Sequence, residues 1–255
     1  MGDATAGIGL TPLALAGRLA WLSSSLPRPP VAPAAKPKKQ RNPAEEDAAL
    51  RKKYRIRVKG AGAPGPLRGF NDLRERYGVK TCLLKALQDR GFTAPSPVQR
   101  QAVPALLEGR DFMACAPTGS GKTLAYLLPV LDALCKVKKP KRGRLRALVV
   151  LPTKPLAQQI WREFQKCGAG SRVRGAALVS KGVEKGTDLG KVDVLFATPL
   201  RLGHMVQRGA VDLSGVRYLV LDEADKMLQD DGQEDGFLAQ VDALLGACSH
   251  RKIVR

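Results

Sequence analysis

Eight consecutive residues constrain this 255-residue chain more than any other stretch: Ala116, Pro117, Thr118, Gly119, Ser120, Gly121, Lys122 and Thr123. An apolar run from Asp111 to Ala116 leads into them and a second, from Leu124 to Leu134, leads out, so the pattern reads as strand, glycine-rich turn, helix. Gly119 and Gly121 leave the backbone free to close around phosphate oxygens, while donated amides and a helix N-terminus supply positive potential. Lys122 adds a full charge near the terminal phosphates, and Thr123 is placed to offer its hydroxyl to Mg²⁺. This is the Walker A arrangement, with the small residue Ala116 where the general pattern has its first glycine.

Such a loop needs a parallel α/β sheet behind it, and from Phe70 onward short apolar strands alternate with helical segments. The strands expected are Asp111 to Ala116, Ala147 to Leu151, Ala176 to Ser180, Val192 to Ala197 and Arg217 to Leu221. A helix after the second carries Leu156, Ile160 and Phe164 at four-residue spacing, with Pro155 suited to its first turn. The last strand runs into Asp222, Glu223, Ala224 and Asp225. Carboxylates at a strand end are what a Walker B site requires, with Asp222 on the metal side and Glu223 as general base for an attacking water.

Charge narrows the partner. Forty-three Lys and Arg against 23 Asp and Glu give a formal net charge of +20, which excludes an acidic solvating protein and favours a polyanion such as nucleic acid. Arg18 interrupts the best apolar stretch, Ile8 to Leu22, so no membrane span is expected, and the stretch follows Asp3 rather than the basic flank of a targeting signal. Five cysteines, odd in number and without close pairing, read as reduced thiols. Residues 1–66 read as a disordered Pro-rich and basic leader, apart from a short helix that begins at Glu45, Glu46 and Asp47 and runs to Lys53. Its basic stretches, Lys36 to Arg41 and Arg51 to Lys59, fit either a solvated tail or a nucleic-acid or nuclear-import segment.

Taken together, the loop at 116–123 and Asp222-Glu-Ala-Asp225 resemble the DEAD-box RNA helicases. Gly91, Phe92, Pro95, Pro97 and Gln99, with Phe70 upstream, are similar to that family's Q motif, whose glutamine reads adenine and whose upstream aromatic stacks on it. A glutamine amide can pair with adenine N6 and N7 in a bidentate way. Pro152, Thr153 and Lys154 are similar to motif Ia, and Thr198, Pro199 and Arg201 to motif Ib, which the resemblance makes RNA contacts. Asp225 it makes a residue coupling motifs to one another. Arg55 to Gly60, Asp72 to Gly78 and Gly236 to His250 resemble the Rok-type branch of small-ribosomal-subunit assembly.

The resemblance implies a P-loop NTPase, RecA-like α/β domain, with a leader at 1–66, a Q-motif region at 67–99 and the ATP-binding domain at 100–255. It implies ATP and Mg²⁺ as cofactors, RNA (pre-rRNA) as partner alongside ribosome assembly factors, a monomer, and residence in the nucleus and nucleolus. Two departures stand out. Lys154 and Pro155 replace the usual Arg-Glu, and Lys lacks the planar fork that grips phosphate twice. The run His250 to Arg255 looks like the lead-in to the family's Ser-Ala-Thr strand, so the expectation is that this strand and a second RecA-like domain are missing, leaving the sheet incomplete and ATP turnover by the 255 residues alone absent. A non-catalytic ATP- or RNA-binding protein is the alternative. The basic run Lys136 to Arg146 reads as a solvated loop or as further RNA contacts.

Overall fold

In the computed structural model, the structure describes residues 42–137, 145–178, 188–228 and 236–248. Expectations for residues 1–41, most of the basic run at 138–144, and the end of the chain from Ser249 lie outside them.

Helix α1 (Pro43–Lys53) starts where Asn42 accepts the Ala44 N–H at 3.2 Å, with Pro43 at its first position, Glu45 and Glu46 in the first turn and three cations in the last. It matches the helix expected inside the leader. Its surroundings differ from a leader, because the compact unit begins at Asn42 rather than after residue 66. Arg51 donates to the Pro64 carbonyl at 2.8 Å and Gln101 to the same oxygen at 2.9 Å, while Leu67 N–H donates to the Arg100 carbonyl at 2.8 Å. Composition cannot show these bonds, which join a proline- and glycine-rich segment to a helix some 40 residues later.

Helices α2 (Asn71–Glu75), α3 (Thr81–Asp89), α4 (Pro97–Leu107) and α5 (Lys122–Lys136) precede the sheet. Then follow β1 (Ala147–Val150), α6 (Lys154–Cys167), β2 (Gly175–Leu178), β3 (Val194–Ala197), α7 (Pro199–Gln207), β4 (Tyr218–Leu221), α8 (Ala224–Met227) and α9 (Phe237–Ala247). The four strands are parallel in the order β2-β3-β1-β4. Period-two alternation sends Val149, Phe196 and Val220 to one face, against Leu127 and Leu131 of α5 and Ile160 and Phe164 of α6. Leu148, Leu195 and Leu219 face the other way, onto Leu202 and Met205 of α7 and Val241 and Leu244 of α9. A sheet apolar on both faces and covered on both is why the strands read as unbroken hydrophobic runs.

Four of the five expected strands are present, three of them trimmed by one or two residues; the one expected at Ala176 to Ser180 begins a residue earlier, at Gly175, and its last two expected positions lie outside the described residues. Asp111 to Ala116 is not a strand. No strand pairs with it among the described residues, and Met113 is 86% exposed. Apolar composition confers affinity for a sheet, but a strand exists only where a neighbour takes up its N–H and C=O groups.

The basic run also requires correction at its ends. Arg146 is buried and turned inward, donating from Nε and Nη2 to Asp193 Oδ1 at 3.1 and 3.0 Å, and Lys136 pairs with buried Asp132 at 2.6 Å. Arg146 is therefore not a solvated or RNA-facing charge, whereas Lys136 stays exposed. No helix among the described residues is long and apolar enough to cross a membrane.

Candidate functional site

Strand register assembles the site. Val150 lies opposite both Ala197 and Leu221, so β1, β3 and β4 end level, and the residues that follow each emerge along one edge. Backbone bonds extend that register one step: Leu151 N–H donates to Ala197 O at 3.0 Å and Asp222 N–H to Val150 O at 3.1 Å. Thr153, Thr198 and Asp222-Glu223, separated by up to 70 positions in sequence, thus share the carboxyl end of a parallel sheet, where open α/β folds bind ligands.

Within the phosphate loop, Gly119 and Gly121 have φ of +77° and +92°, a region that side chains rarely adopt. Gly121 is further confined, since a Cβ there would lie 2.4 Å from Gln99 Nε2. Lys122 Nζ donates to the loop's own carbonyls, Ala116 O at 2.6 Å and Pro117 O at 3.0 Å. These bonds hold the ammonium over the loop, and a phosphate oxygen would compete for its hydrogens. Buried Ser120 Oγ has no hydrogen-bond partner among the described residues. A positive-φ backbone, a tethered ammonium and a buried hydroxyl in need of a partner together fit a polyphosphate.

The loop is tied to the acidic strand end by a residue that sequence reading passed over. Tyr126, one turn into α5, donates its hydroxyl to Asp222 Oδ2 at 2.8 Å, and the Thr123 side chain hydrogen-bonds to the same phenol. Burial, then the adjoining Asp222 carboxylate, pushes Tyr126 well above the ordinary tyrosine range, so it remains a donor at neutral pH. Asp222 Oδ1 accepts the Glu223 N–H at 3.0 Å. A carboxylate and a hydroxyl on one phenol form an oxygen-only donor set, which suits a hard cation such as Mg²⁺. The signal for Tyr126 in the sequence was only its place four residues after Lys122, indistinguishable there from core packing.

Glu223 has φ +54° and ψ +45°, a left-handed conformation unusual for a side chain of this size. The turn lifts its carboxylate away from the sheet, where Oε2 accepts Lys226 Nζ at 2.7 Å. That contact, first by hydrogen bond and then by charge, raises the Lys226 ammonium above its ordinary value. Asp225 is exposed on α8.

Gln99 is buried and closes the loop from the other side, its Nε2 donating to Gly121 O at 3.1 Å and its Oε1 accepting the Ser96 N–H at 3.0 Å. One donor and one acceptor of the amide remain, the number a bidentate pair with adenine uses. Phe70 begins α2 and Phe92 lies 5.0 Å under the Arg90 guanidinium. Both pack against the core as half-buried side chains.

Of the expected RNA contacts, Thr153 caps α6, its Oγ1 accepting the Leu156 N–H at 3.4 Å, and it is exposed, as is Lys154. Thr198 precedes α7 and is buried with Pro199 and Pro152, while Arg201 is half-buried.

A family profile described as DEAD/DEAH box helicase matches residues 96–254. The "DEAD-box ATP-dependent RNA helicase 57" of Arabidopsis thaliana is 43% identical over 86% of this chain and 39% of its own length. The "ATP-dependent RNA helicase ROK1" of Eremothecium gossypii is 41% identical over 82% of this chain and 38% of its own. For the "Probable ATP-dependent RNA helicase DDX52" of Bos taurus the figures are 38%, 81% and 35%. This chain therefore spans well under half the length of these curated relatives. Among solved structures, the yeast DEAD-box splicing factor Prp28 superposes with TM-score 0.70 at 30% identity, covering 82% of this chain and 49% of that one. Prp28 from Chaetomium thermophilum bound to ADP gives 0.69 at 30%, covering 82% and 50%. With that profile spanning more than half of its residues and the loop and acidic strand end joined through Tyr126, the chain belongs to the DEAD/DEAH box helicase family.

Proposed function

We propose that this chain binds ATP with Mg²⁺ at residues 116–123 and 222–223 and RNA along the same sheet edge, as the ATP-binding part of an ATP-dependent RNA helicase. The observation that carries the reading is the Thr123–Tyr126–Asp222 bridge, which fixes a phosphate loop and a carboxylate pair as one unit.

The chain's own groups divide the work. Gly119, Gly121 and Lys122 would cradle and neutralise phosphates, and Thr123 and Asp222 would hold the cation. Bound Mg²⁺ would offset charge on the transferring phosphoryl group. Glu223 takes the proton of the attacking water once its carboxylate has exchanged Lys226 for that water. Gln99 couples adenine to the loop, since the amide that would read the base already touches Gly121. Thr153, Lys154, Thr198, Pro199 and Arg201 would position an RNA backbone, with Pro152 shaping the turn and Asp225 coupling the motifs. Pre-rRNA as substrate, assembly factors as partners and nucleolar residence belong to the proposal too, supported by the resemblance to the Rok-type branch and by the net charge of +20.

Displacement of a fluorescent ATP analogue from the purified chain tests it. ATP should compete, GTP should compete about 5- to 150-fold more weakly, as a lost base-reading pair worth about 1–3 kcal/mol requires, and Lys122→Ala should abolish binding. Equal competition by ATP and GTP would overturn the role given to Gln99.

A further inference from the structure

Outside that site, one charged surface stands apart. Five cations lie on the last turn of α1 and the segment that follows it: Lys52, Lys53, Arg55, Arg57 and Lys59. All are exposed, and among the described residues none forms an ion pair. Several cations elsewhere in the unit are held in ion pairs: Arg68 pairs with Glu46, Arg76 with Asp72, Arg90 with Glu163 and Arg146 with Asp193.

Two features show that the five are presented rather than left over. Residues 55 to 59 alternate between exposed Arg55, Arg57 and Lys59 and half-buried Ile56 and Val58, so three charges fall on one side at two-residue spacing. Second, α1 ends by a Schellman pattern, with Ile56 N–H donating to Arg51 O at 2.9 Å and Arg55 N–H to Lys52 O at 3.2 Å. That pattern puts Arg55 at φ +55°, a position glycine fills at no steric cost. An arginine held there in spite of its Cβ suggests that its side chain has a use.

The segment is also braced. Arg51 donates to Gln101 Oε1 at 2.9 Å as well as to Pro64 O, and the Arg100 guanidinium stacks 3.9 Å over Tyr54. Charges on a braced backbone lose less conformational freedom on binding than charges on a tail. No large hydrophobic residue is exposed between residues 52 and 59. The surface therefore lacks the aromatic or aliphatic anchor of a protein interface and the apolar face of a membrane-surface helix.

We infer that Lys52, Lys53, Arg55, Arg57 and Lys59 form a second RNA-binding surface, contacting phosphates of a strand independently of the sheet-edge site. The inference rests on the reading of the chain as an RNA-binding protein. It adds contacts that carry no sequence information and keep RNA bound while the sheet edge releases it.

The test is anisotropy of a labelled oligouridylate with the 255-residue chain, titrated from 50 to 200 mM salt. The five-fold Gln substitution K52Q/K53Q/R55Q/R57Q/K59Q should bind more weakly and lower the salt slope by up to about 3.5, at about 0.7 per lost contact. Arg55→Gly should weaken RNA binding without lowering Tm, since the left-handed position suits glycine. R55K/R57K should retain the parent's slope. An unchanged affinity and slope in the five-fold variant, with Lys154→Gln impaired, would overturn this inference and leave the sheet-edge site standing. Loss in the five-fold variant with Lys154→Gln unaffected would support it and remove the sheet-edge assignment instead. Binding that depends on the five residues but prefers polyglutamate or phosphatidylserine vesicles to RNA would overturn it in favour of another polyanion.

Discussion

Replacing Tyr126 by phenylalanine removes one oxygen atom and separates the two halves of the nucleotide site. The hydroxyl donates to Asp222 at 2.8 Å, and Tyr126 and Asp222 are only 8% and 9% exposed, so water does not take over the bond. A buried hydrogen bond to a charged acceptor contributes about 1.5–3 kcal/mol. For a domain of this size, at about 2–4 °C per kcal/mol, the expected fall in Tm is about 3–12 °C. Asp222 keeps the Glu223 N–H on Oδ1 but loses its orientation through Oδ2, and Thr123 loses the same phenol. Removing an outer partner of a metal ligand costs about 10–100-fold in metal affinity. The Mg²⁺-dependent part of nucleotide affinity should therefore drop at least about tenfold, with affinity in chelator little changed. The assay is a thermal melt together with titration of a fluorescent ATP analogue, with and without Mg²⁺. Melting within about 1 °C of the parent and an unchanged Mg²⁺ response would refute the reasoning, because the phenol would then be packing alone.

Gly121→Ala should abolish nucleotide binding, since the added methyl meets Gln99 Nε2 at 2.4 Å and the φ of +92° is strained for alanine; analogue titration reads it. Arg146→Met should destabilise by about 3–5 kcal/mol in urea denaturation, because the buried Asp193 carboxylate loses the guanidinium that donates to it twice, while RNA affinity measured well below the transition stays unchanged. Burial raises the Glu163 carboxyl, but hydrogen bonds and charge from Lys166 and Arg90 outweigh it and hold the group below its ordinary value. A depressed carboxyl stabilises the fold above its unfolded pKa and loses that contribution as pH falls through the folded value. The parent should thus exceed Glu163→Gln by about 0.5–1.5 kcal/mol near neutral pH, and urea titrations should show that margin shrinking below about pH 4.5.

Fold class was legible because a sheet buried on both faces leaves a strong mark: Leu148, Val149 and Val150 are all core residues, which no half-exposed strand would show. The phosphate loop was legible because its glycines and lysine carry their chemistry locally. What could not be read is whatever depends on a distant partner. The run Asp111 to Ala116 has the composition of a strand, but pairing is a property of two segments. Arg146 stood in a row of lysines and arginines, and only Asp193, 47 residues later, turns it into a buried ion pair. Residues 54–66 have the proline and glycine content of a tail, and the bonds from Arg51 and Gln101 to Pro64 make them part of the domain.

The same division runs through the site. Lys122, Asp222 and Glu223 are recognisable by type because their charges are needed wherever phosphate and metal meet. Tyr126 is not, since an aromatic one turn into an apolar helix satisfies the packing pattern whether or not its hydroxyl does anything. Gln99 lies between these cases. Its amide was expected to face a base, and the structure gives half of its hydrogen-bonding capacity to Gly121 and Ser96. That sharing has a mechanical consequence, for a base that engages the other half pulls on an amide already bonded to the phosphate loop. Under the proposed reading, adenine recognition and loop geometry would then be one event. A glutamine spaced from the loop by even one more atom would recognise the base without informing the phosphates, and the confined approach at Gly121 is what removes that atom.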